Sequence, residues 1–204
     1  MDDLAGIYDD FAPEYDRGRI LFDNTAQLEM LAGRIPSLAD VLDAGCGSGT
    51  PVLHFFSERG CRVTGTDISP AMLELAAVHV PEARLVEVDS AALGFKPESF
   101  DLVSSFYSLF HLTMEKQRAA FVQFFRVLRP GGLAYFTLAS DRYTGESVFC
   151  GTKKFAGAEL PYSHVTPESY QLILEEVGFY VEAMEHVVVG GETMLWVLVE
   201  KESK

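Results

Sequence analysis

The residues best able to do chemistry lie at the ends of short apolar runs. The first run, Val41–Ala44, leads into the turn Gly45–Gly49, in which every second residue is glycine. Glycine is needed where the backbone takes a positive φ or touches a ligand. Thr50-Pro51 then resembles a helix start. A strand, a glycine turn and a helix in this order present unpaired backbone N–H groups to a ligand above the strand.

The acidic residue before this turn helps to distinguish between two kinds of ligand. Dinucleotide-binding enzymes place Gly-x-Gly-x-x-Gly at the same position of a similar sheet. Here the spacing is Gly-x-Gly-x-Gly, and Asp43 stands just before it. A carboxylate that points into the turn repels a pyrophosphate and attracts an ammonium group. The pattern therefore favours a ligand with an amino-acid portion.

Two further acids follow apolar runs later in the chain. Asp67 ends the second run, where a carboxylate can accept two hydrogen bonds from a ribose diol. Asp89 ends the third, and an acceptor there can bind the exocyclic amine of adenine. The alternatives are that Asp67 caps the helix beginning near Ser69 and that Asp89 is a surface residue in a turn. Their order along the chain favours a nucleoside ligand.

An α/β sheet is expected to position these acids. Short β-branched runs alternate with helical patterns from residue 39 onward, which is typical of βαβ units around a parallel sheet. The predicted strands are Asp40–Ala44, Arg62–Asp67, Arg84–Val88, Asp101–Phe106 and Leu133–Leu138. A helix is predicted from Thr113 to Leu128, with its phenylalanines in the core. Capping hydroxyls before proline predict further helix starts at Thr50, Ser69 and Thr166.

The chain length fits one domain, which divides into four parts. Residues 1–35 are predicted to be a helical cap over the ligand edge of the sheet, and residues 36–140 the binding core. Residues 141–165 show no sustained period and are predicted to be a loop or substrate lid. Residues 166–204 are predicted to contain a helix to Val177 and two strands, Tyr180–Val189 and Thr193–Val199. Their short link requires an antiparallel hairpin.

Charge and composition argue against several classes of protein. Sixteen Lys and Arg stand against 30 Asp and Glu, and the net charge of −14 would repel a nucleic-acid backbone. Cys46, Cys61 and Cys150 are too widely spaced to suggest a disulfide framework or a metal site. No apolar run approaches the roughly 18 residues of a membrane span, and the acidic start is unlike a signal peptide. A cytoplasmic protein without nucleic-acid or membrane partners is expected. The sequence gives no indication of the oligomeric state.

Together the motifs resemble those of the class I S-adenosylmethionine-dependent methyltransferases, over nearly the whole chain. The resemblance is carried by Val41–Thr50, Asp67, Asp89-Ser90, Phe100–Val103 and Leu128–Gly132. The opening Tyr8-Asp9-x-x-Ala12-x-x-Tyr15-Asp16 is also similar to that of small single-domain members. This implies a Rossmann-like, doubly wound sheet of seven strands, mostly parallel, with the last strand inserted antiparallel.

The resemblance further implies S-adenosyl-L-methionine as the cofactor. At its methionine end, Asp43, Gly45 and Gly47 would face the amino-acid portion, Tyr15 would close over the carboxylate and Phe106 would lie near the sulfonium. Ordinary core packing is an equal alternative for Phe106.

At the nucleoside end, the same resemblance implies that Asp67 binds the ribose. Ile68 and Met72 would cover the faces of the adenine, and Asp89 with Ser90 would contact its edge. Core packing is again an equal alternative for Ile68 and Met72.

The implied reaction is in-line SN2 transfer of a methyl group to a small-molecule acceptor. Such a reaction needs orientation and exclusion of water more than a catalytic nucleophile. His111 could accept a proton, although a positioning role is favoured. No metal is expected. The chain has Ser104-Ser105-Phe106-Tyr107 where amino methyltransferases have Asn-Pro-Pro-Tyr, which argues against adenine-N6 or glutamine methylation.

Residues 141–165 supply weaker candidates for acceptor binding. Tyr143 and His164 could accept a proton, and Lys153-Lys154 could pair with an anionic acceptor, although a solvated loop charge is favoured. The aromatic residues nearby suggest a partly apolar acceptor pocket.

Two other functions stay open. A non-catalytic S-adenosylmethionine-binding regulatory protein would keep every cofactor residue. A nicotinamide-dependent oxidoreductase would share the sheet and Asp67, but the missing third spaced glycine, Asp43 and the terminal hairpin count against it.

Overall fold

A computed structural model of the chain describes residues 4–18, 22–155 and 158–203. Its helices are α1 Leu4–Gly18, α2 Thr25–Ala32, α3 Val52–Glu58, α4 Pro70–His79, α5 Met114–Val127, α6 Asp141–Thr144 and α7 Pro167–Val177. Its strands are β1 Asp40–Ala44, β2 Arg62–Asp67, β3 Arg84–Glu87, β4 Phe100–Ser105, β5 Leu128–Leu138, β6 Phe149–Phe155, β7 Ala158–His164, β8 Tyr180–Val189 and β9 Glu192–Glu200.

Seven strands form one sheet in the order β3-β2-β1-β4-β5-β9-β8. Neighbours among β1 to β5 pair in parallel. The last strand, β9, lies antiparallel between β5 and β8. Gly190 and Gly191 join β8 to β9, both with positive φ as a tight type I′ hairpin requires. The predicted fold class is therefore confirmed.

Apolar residues on both faces of the central strands explain why the sheet lies between two layers. Successive side chains of a strand point to opposite faces. Val41 packs in the core layer that also contains Trp196, whereas Leu42 packs in the layer that contains the α5 phenylalanines Phe121 and Phe124. Parallel strands that are buried on both faces therefore appear in the sequence as continuous apolar runs. The predicted core role of the α5 phenylalanines is confirmed.

Two of the three predicted capping hydroxyls before proline do cap a helix. Ser69 accepts a hydrogen bond from the backbone N–H of Met72, and Thr166 accepts one from Ser169. The prediction for Thr50 is wrong, because α3 begins later without a side-chain cap. The Thr50 hydroxyl lies 3.3 Å from the Ser48 hydroxyl instead.

The prediction that residues 141–165 lack regular structure is wrong for most of that segment. After the short helix α6, β6 and β7 pair as an antiparallel ribbon. Leu160, Tyr162 and His164, at alternate positions of β7, are buried, and Ser163 between them is buried as well. Gly151 in β6 and Pro161 in β7 are residues that disfavour strands, which explains why the sequence predicted a loop here.

One buried glutamine connects this ribbon to the rest of the protein. The amide nitrogen of Gln117 on α5 donates to the carbonyl oxygens of Leu112 and Ser163, at 3.0 and 2.8 Å. Its oxygen accepts from the Tyr170 hydroxyl at 2.8 Å. Gln117 thus joins α5, α7, β7 and the segment after β4.

Within the described ranges, no helix is long and apolar enough to cross a membrane.

Replacing Gln117 with methionine is expected to lower the free energy of unfolding by about 2 kcal/mol or more, since two carbonyls would lose their amide donor and the Tyr170 hydroxyl its acceptor. Gln171→Met on the exposed face of α7 is the matched control and should change stability by less than about 0.5 kcal/mol. Urea unfolding followed by circular dichroism measures both. Equal losses in the two variants would contradict the bridging role of Gln117.

Candidate functional site

A pocket lies at the carboxyl ends of the parallel strands, at the boundary between β1 and β4. The strand order reverses here: β2 and β3 follow on one side of β1, and β5 follows on the far side of β4. Open α/β sheets bind ligands at this switch point. Four parts of the chain line the pocket besides the roof helix α1: the glycine turn, the end of β2 with the start of α4, the segment after β3, and the segment after β4. The lining residues are Leu4, Tyr8, Tyr15, Gly45, Gly47, Asp67, Ile68, Met72, Val88, Asp89, Ser90, Phe106, Tyr107, Ser108, His111 and Leu112.

The glycine turn is held where no side chain fits. Gly45 and Gly47 have φ of 75° and 52°, which disfavours residues with a Cβ. A Cβ on Gly45 would overlap the side chain of Ser108. The turn therefore packs directly against the segment that leaves β4. Ser108 is a site residue that the sequence reasoning missed.

Asp67 serves both the turn and the pocket. Its carboxylate accepts from the backbone N–H of Gly47 at 2.9 Å and from that of Ser69 at 3.0 Å. Burial raises its pKa, while these N–H groups act in the opposite direction. A carboxylate has about four acceptor sites. The backbone N–H of Ile68 is a third donor to it, so about one acceptor site is left, with which Asp67 can hold the turn and still accept from a ribose hydroxyl.

Asp89 and Ser90 form the far corner of the pocket. One carboxylate oxygen of Asp89 accepts from the backbone N–H of Ala91 at 2.9 Å and caps the short 3₁₀ helix Ser90–Ala92. The other accepts from the ammonium group of Lys116 at 2.8 Å. Asp89 therefore stabilises a turn, as one interpretation of the sequence proposed, and also lines the pocket.

Asp43 is not among the residues that line the pocket in the described part of the chain. It is buried at the end of β1, in register with Ser104 of β4. Its carboxylate accepts from the Ser104 hydroxyl at 2.8 Å. Because paired residues of adjacent strands share a face of the sheet, the side chain lies under the turn, beside β4.

The apolar candidates belong to both the pocket and the core. Ile68, Met72 and Phe106 line the pocket, and Met72 is almost fully buried. Phe106 also packs edge-on against Tyr135 and Trp196, with ring centroids 5.7 and 4.9 Å apart. The two interpretations of these residues are therefore not exclusive.

Helix α1 forms the roof of the pocket, as the predicted helical cap should. Tyr8 and Tyr15, seven residues apart, lie on one face of the helix with ring centroids 5.9 Å apart. Asp9 accepts from the Ser69 hydroxyl at 2.5 Å and from the backbone N–H of Ala71 at 3.1 Å. A carboxylate is favoured at the N-terminus of a helix such as α4. Tyr8 and Asp9 were recognised only as part of the opening motif, without individual roles.

His111 is buried in a fixed neutral form. Its Nδ1 lies 2.8 Å from the carbonyl oxygen of Pro161, which can only accept, so Nδ1 carries the proton. Nε2 then accepts from the Tyr8 hydroxyl at 2.9 Å. Burial lowers the pKa of His111 to about 4, despite the favourable carbonyl contact. The one acceptor nitrogen of the imidazole, Nε2, is therefore paired with Tyr8, a residue of the pocket lining.

The weaker candidates of the ribbon lie outside the pocket lining. The Nε2 of His164 lies 2.7 Å from the Thr144 hydroxyl, and burial lowers the His164 pKa. The Lys153 ammonium donates to the carbonyl oxygens of Tyr143 and Thr144 at 3.2 and 3.3 Å. Across the described part of the chain, no group of three or more His, Cys, Asp or Glu side chains is arranged to hold a metal ion.

Comparisons with known proteins agree with this geometry. The profile of a family described as "Methyltransferase domain" matches residues 41–132. The chain is 35% identical to a malonyl-acyl-carrier-protein O-methyltransferase of Enterobacter lignolyticus (strain SCF1), over 68% of this chain and 54% of that protein. It is 31% identical to an S-adenosyl-L-methionine-dependent Diels-Alderase of Neonectria sp. (strain DH2), over 79% of this chain and 66% of that one.

A solved structure shows the same fold. The 1,6-didemethyltoxoflavin-N1-methyltransferase of Burkholderia thailandensis, with S-adenosylhomocysteine bound, superposes with a TM-score of 0.70 at 23% identity, covering 97% of this chain and 88% of that one. The chain belongs to the class I S-adenosylmethionine-dependent methyltransferase family. It spans about half the length of the first of these relatives.

The pocket fits the cofactor of this family by its own chemistry. The cradle at Gly45 would be filled by any Cβ, and the buried Asp67 carboxylate faces the pocket with acceptor capacity to spare. No Lys or Arg is among the lining residues that the structure describes, although the Lys116 ammonium pairs with Asp89. Asp67 is therefore the lining acid whose charge favours a cationic ligand.

Gly45→Ala is expected to weaken S-adenosylhomocysteine binding by about tenfold or more, because the added methyl group would push the Ser108 segment into the pocket. Gly145→Ala is the control, since Gly145 also has a positive φ of 85° but a methyl group added there would meet no neighbouring side chain or backbone atom within 4 Å. That variant should show backbone strain of about 1–2 kcal/mol and unchanged binding. Calorimetric titration would contradict the steric argument if both variants bound equally well.

The burial of His111 predicts a pH dependence of stability. Its pKa of about 4 in the folded protein lies below the ordinary value of 6.5, so the unfolded chain binds more protons between these values. Its contribution, up to about 3 kcal/mol, should be present above pH 6.5 and lost as the pH falls toward 4. Urea unfolding of the wild type and His111→Gln over this range measures it. Parallel pH profiles for the two proteins would refute it.

Proposed function

We propose that this chain transfers the methyl group of S-adenosylmethionine to a small-molecule acceptor by in-line displacement. The observation that carries the proposal is one pocket lined by the glycine turn, Asp67, Asp89 and His111, closed above by α1. The family membership supports the same reaction.

The nucleoside end of the cofactor is assigned to the Asp67 side of the pocket. Asp67 would accept from the ribose hydroxyls, and Ile68 and Met72 would enclose the adenine ring. Ser90, buried beside Asp89, would meet the adenine edge. Shape and apolar contact would fix the ring, while the carboxylate fixes the sugar.

The methionine end is assigned to the glycine turn. The backbone at Gly45 and Gly47 can approach the ligand because neither residue has a side chain. Asp43 would act from beneath the turn, where its charge favours the ammonium group. Tyr15 and Phe106 also line the pocket and would enclose the methionine portion.

The bound cofactor supplies an electrophilic methyl group. The protein therefore has to align the acceptor and exclude water, and alignment alone can contribute about 7–11 kcal/mol. The roof formed by α1 excludes water from one side. With neither Lys nor Arg among the described lining residues, the pocket does not repel the sulfonium charge.

His111 is proposed to position the acceptor. Its Nε2 is the one acceptor nitrogen, and the Tyr8 hydroxyl donates to it. A hydroxyl or amine of an acceptor can donate to the same nitrogen in place of Tyr8. With a pKa of about 4, the imidazole is a weak base, which favours orientation over removal of a proton.

One relative gives a second candidate a specific basis. The Neonectria protein is named as an S-adenosylmethionine-dependent Diels-Alderase, which is an activity other than methyl transfer. The alternative for this chain is a protein that binds the cofactor without transferring its methyl group. Turnover of the cofactor distinguishes the two functions.

Calorimetric titration tests the cofactor assignment. Micromolar binding of S-adenosylhomocysteine is expected, with no comparable binding of NADH. Asp67→Asn should weaken it by about tenfold or more, because the neutral amide loses the charge-assisted bonds to the ribose. Asp10→Asn, on the exposed side of α1, is the control and should bind like the wild type. Tight NADH binding without S-adenosylhomocysteine binding would overturn the assignment.

A further inference from the structure

The roof helix α1 is joined to both ends of α4. At the start of α4, Asp9 accepts from the Ser69 hydroxyl and from the backbone N–H of Ala71. At the other end, the Nε2 of His79, the last residue of α4, lies 3.6 Å from a carboxylate oxygen of Asp16. A protonated His79 forms an ion pair with this carboxylate, and a helix C-terminus favours a cation at that position.

His79 is also joined to the glycine turn. Its Nδ1 lies 2.9 Å from the carbonyl oxygen of Ser48, a buried residue of that turn. A carbonyl oxygen only accepts, so Nδ1 carries the proton and donates to it. His79 therefore connects the turn with the roof helix. We call Asp16, His79 and the Ser48 carbonyl the turn clasp.

The turn clasp holds the chain neighbours of two pocket residues that face each other. Tyr15 precedes Asp16, Gly47 precedes Ser48, and both Tyr15 and Gly47 line the pocket. A Cβ built on Gly47 would lie 3.5 Å from the Tyr15 ring, so this ring covers the turn in van der Waals contact. The contacts therefore form a closed circuit, in which His79 joins the roof to the turn beside the point where they touch.

The turn clasp itself lies outside the pocket. Neither Asp16 nor His79 is among the pocket-lining residues in the described part of the chain. Both line a separate open groove together with Thr50 and Pro51. The side chains of His79 and Asp16 are 29% and 24% exposed, and an ion pair so close to solvent adds little to the stability of the fold. The clasp can therefore act on a ligand only through the residues next to it.

We infer that His79 is a positioning residue for the methionine end of the cofactor. It keeps the Tyr15 ring against the glycine turn by joining Asp16 to the carbonyl of Ser48. The inference rests on the proposed function, which assigns this end of the pocket to the methionine portion. A histidine that only ended α4 would have no effect on one end of the ligand in particular.

Two ligands that share the nucleoside test the inference. S-adenosylhomocysteine carries the amino-acid portion, and 5′-methylthioadenosine lacks it. In calorimetric titrations, His79→Leu should weaken S-adenosylhomocysteine binding by about tenfold, because two modest contacts are lost together. Binding of 5′-methylthioadenosine should change by less than about twofold, which also shows that the variant is folded. His54→Leu, exposed on α3, is the matched control and should bind both ligands like the wild type.

Further variants separate the two contacts of His79. His79→Asn keeps an N–H donor for the Ser48 carbonyl but does not reach Asp16, and it should retain part of the affinity for S-adenosylhomocysteine. Asp16→Asn should weaken this binding in the wild type and cause no further loss in His79→Leu, because residues that act through one contact are not additive. Asp10→Asn, on the exposed side of α1, is the control for the charge change.

The outcomes separate the inference from the proposed function. Failure of S-adenosylhomocysteine to bind the wild type overturns both. When the wild type binds it normally, three results overturn the inference alone: His79→Leu binds S-adenosylhomocysteine like the wild type, His79→Leu weakens both ligands by the same factor, or the losses in His79→Leu and Asp16→Asn add in full.

Discussion

The backbone of Gly45 lies so close to Ser108 that no side chain fits between them. Because β1 and β4 are neighbours in the sheet, the segments that leave their carboxyl ends must pass each other, and glycine lets them do so in contact. The turn then directs its backbone into the pocket, while the other segment continues to His111. Asp67 accepts from Gly47 and fastens the end of β2 to the same turn. The floor of the site thus depends on one close approach of two chain segments.

The roof depends on a small number of polar contacts. Asp9 joins α1 to the start of α4, and Tyr8 joins it to His111. Each contact joins a polar side chain of α1 to a residue that lines the pocket or stands next to a lining residue. The Tyr8 hydroxyl donates to Nε2 of His111. A hydroxyl or amine of the methyl acceptor is proposed to donate to the same nitrogen. Under the proposed function, His111 would therefore link the position of the roof to binding of the acceptor.

Local pattern was sufficient for much of the fold. β1, β2 and β8 begin and end at the predicted residues, because apolar runs and turn residues bound them sharply. The start of β5 was placed five residues late, at Leu133 rather than Leu128, since Pro130-Gly131-Gly132 resembles a loop and instead continues the strand. The contacts of Ser108 and Asp9 left no local signal because their partners are about 60 residues away.

The crystal structure of the protein with S-adenosylhomocysteine is the measurement that bears most directly on the site. The ligand is expected to lie along the carboxyl edge of the sheet, with its ribose hydroxyls within hydrogen-bond distance of Asp67, its amino-acid portion over Gly45 and Gly47, and α1 above it. A ligand bound elsewhere, or one whose ribose makes no contact with Asp67, would contradict the assignment of this pocket.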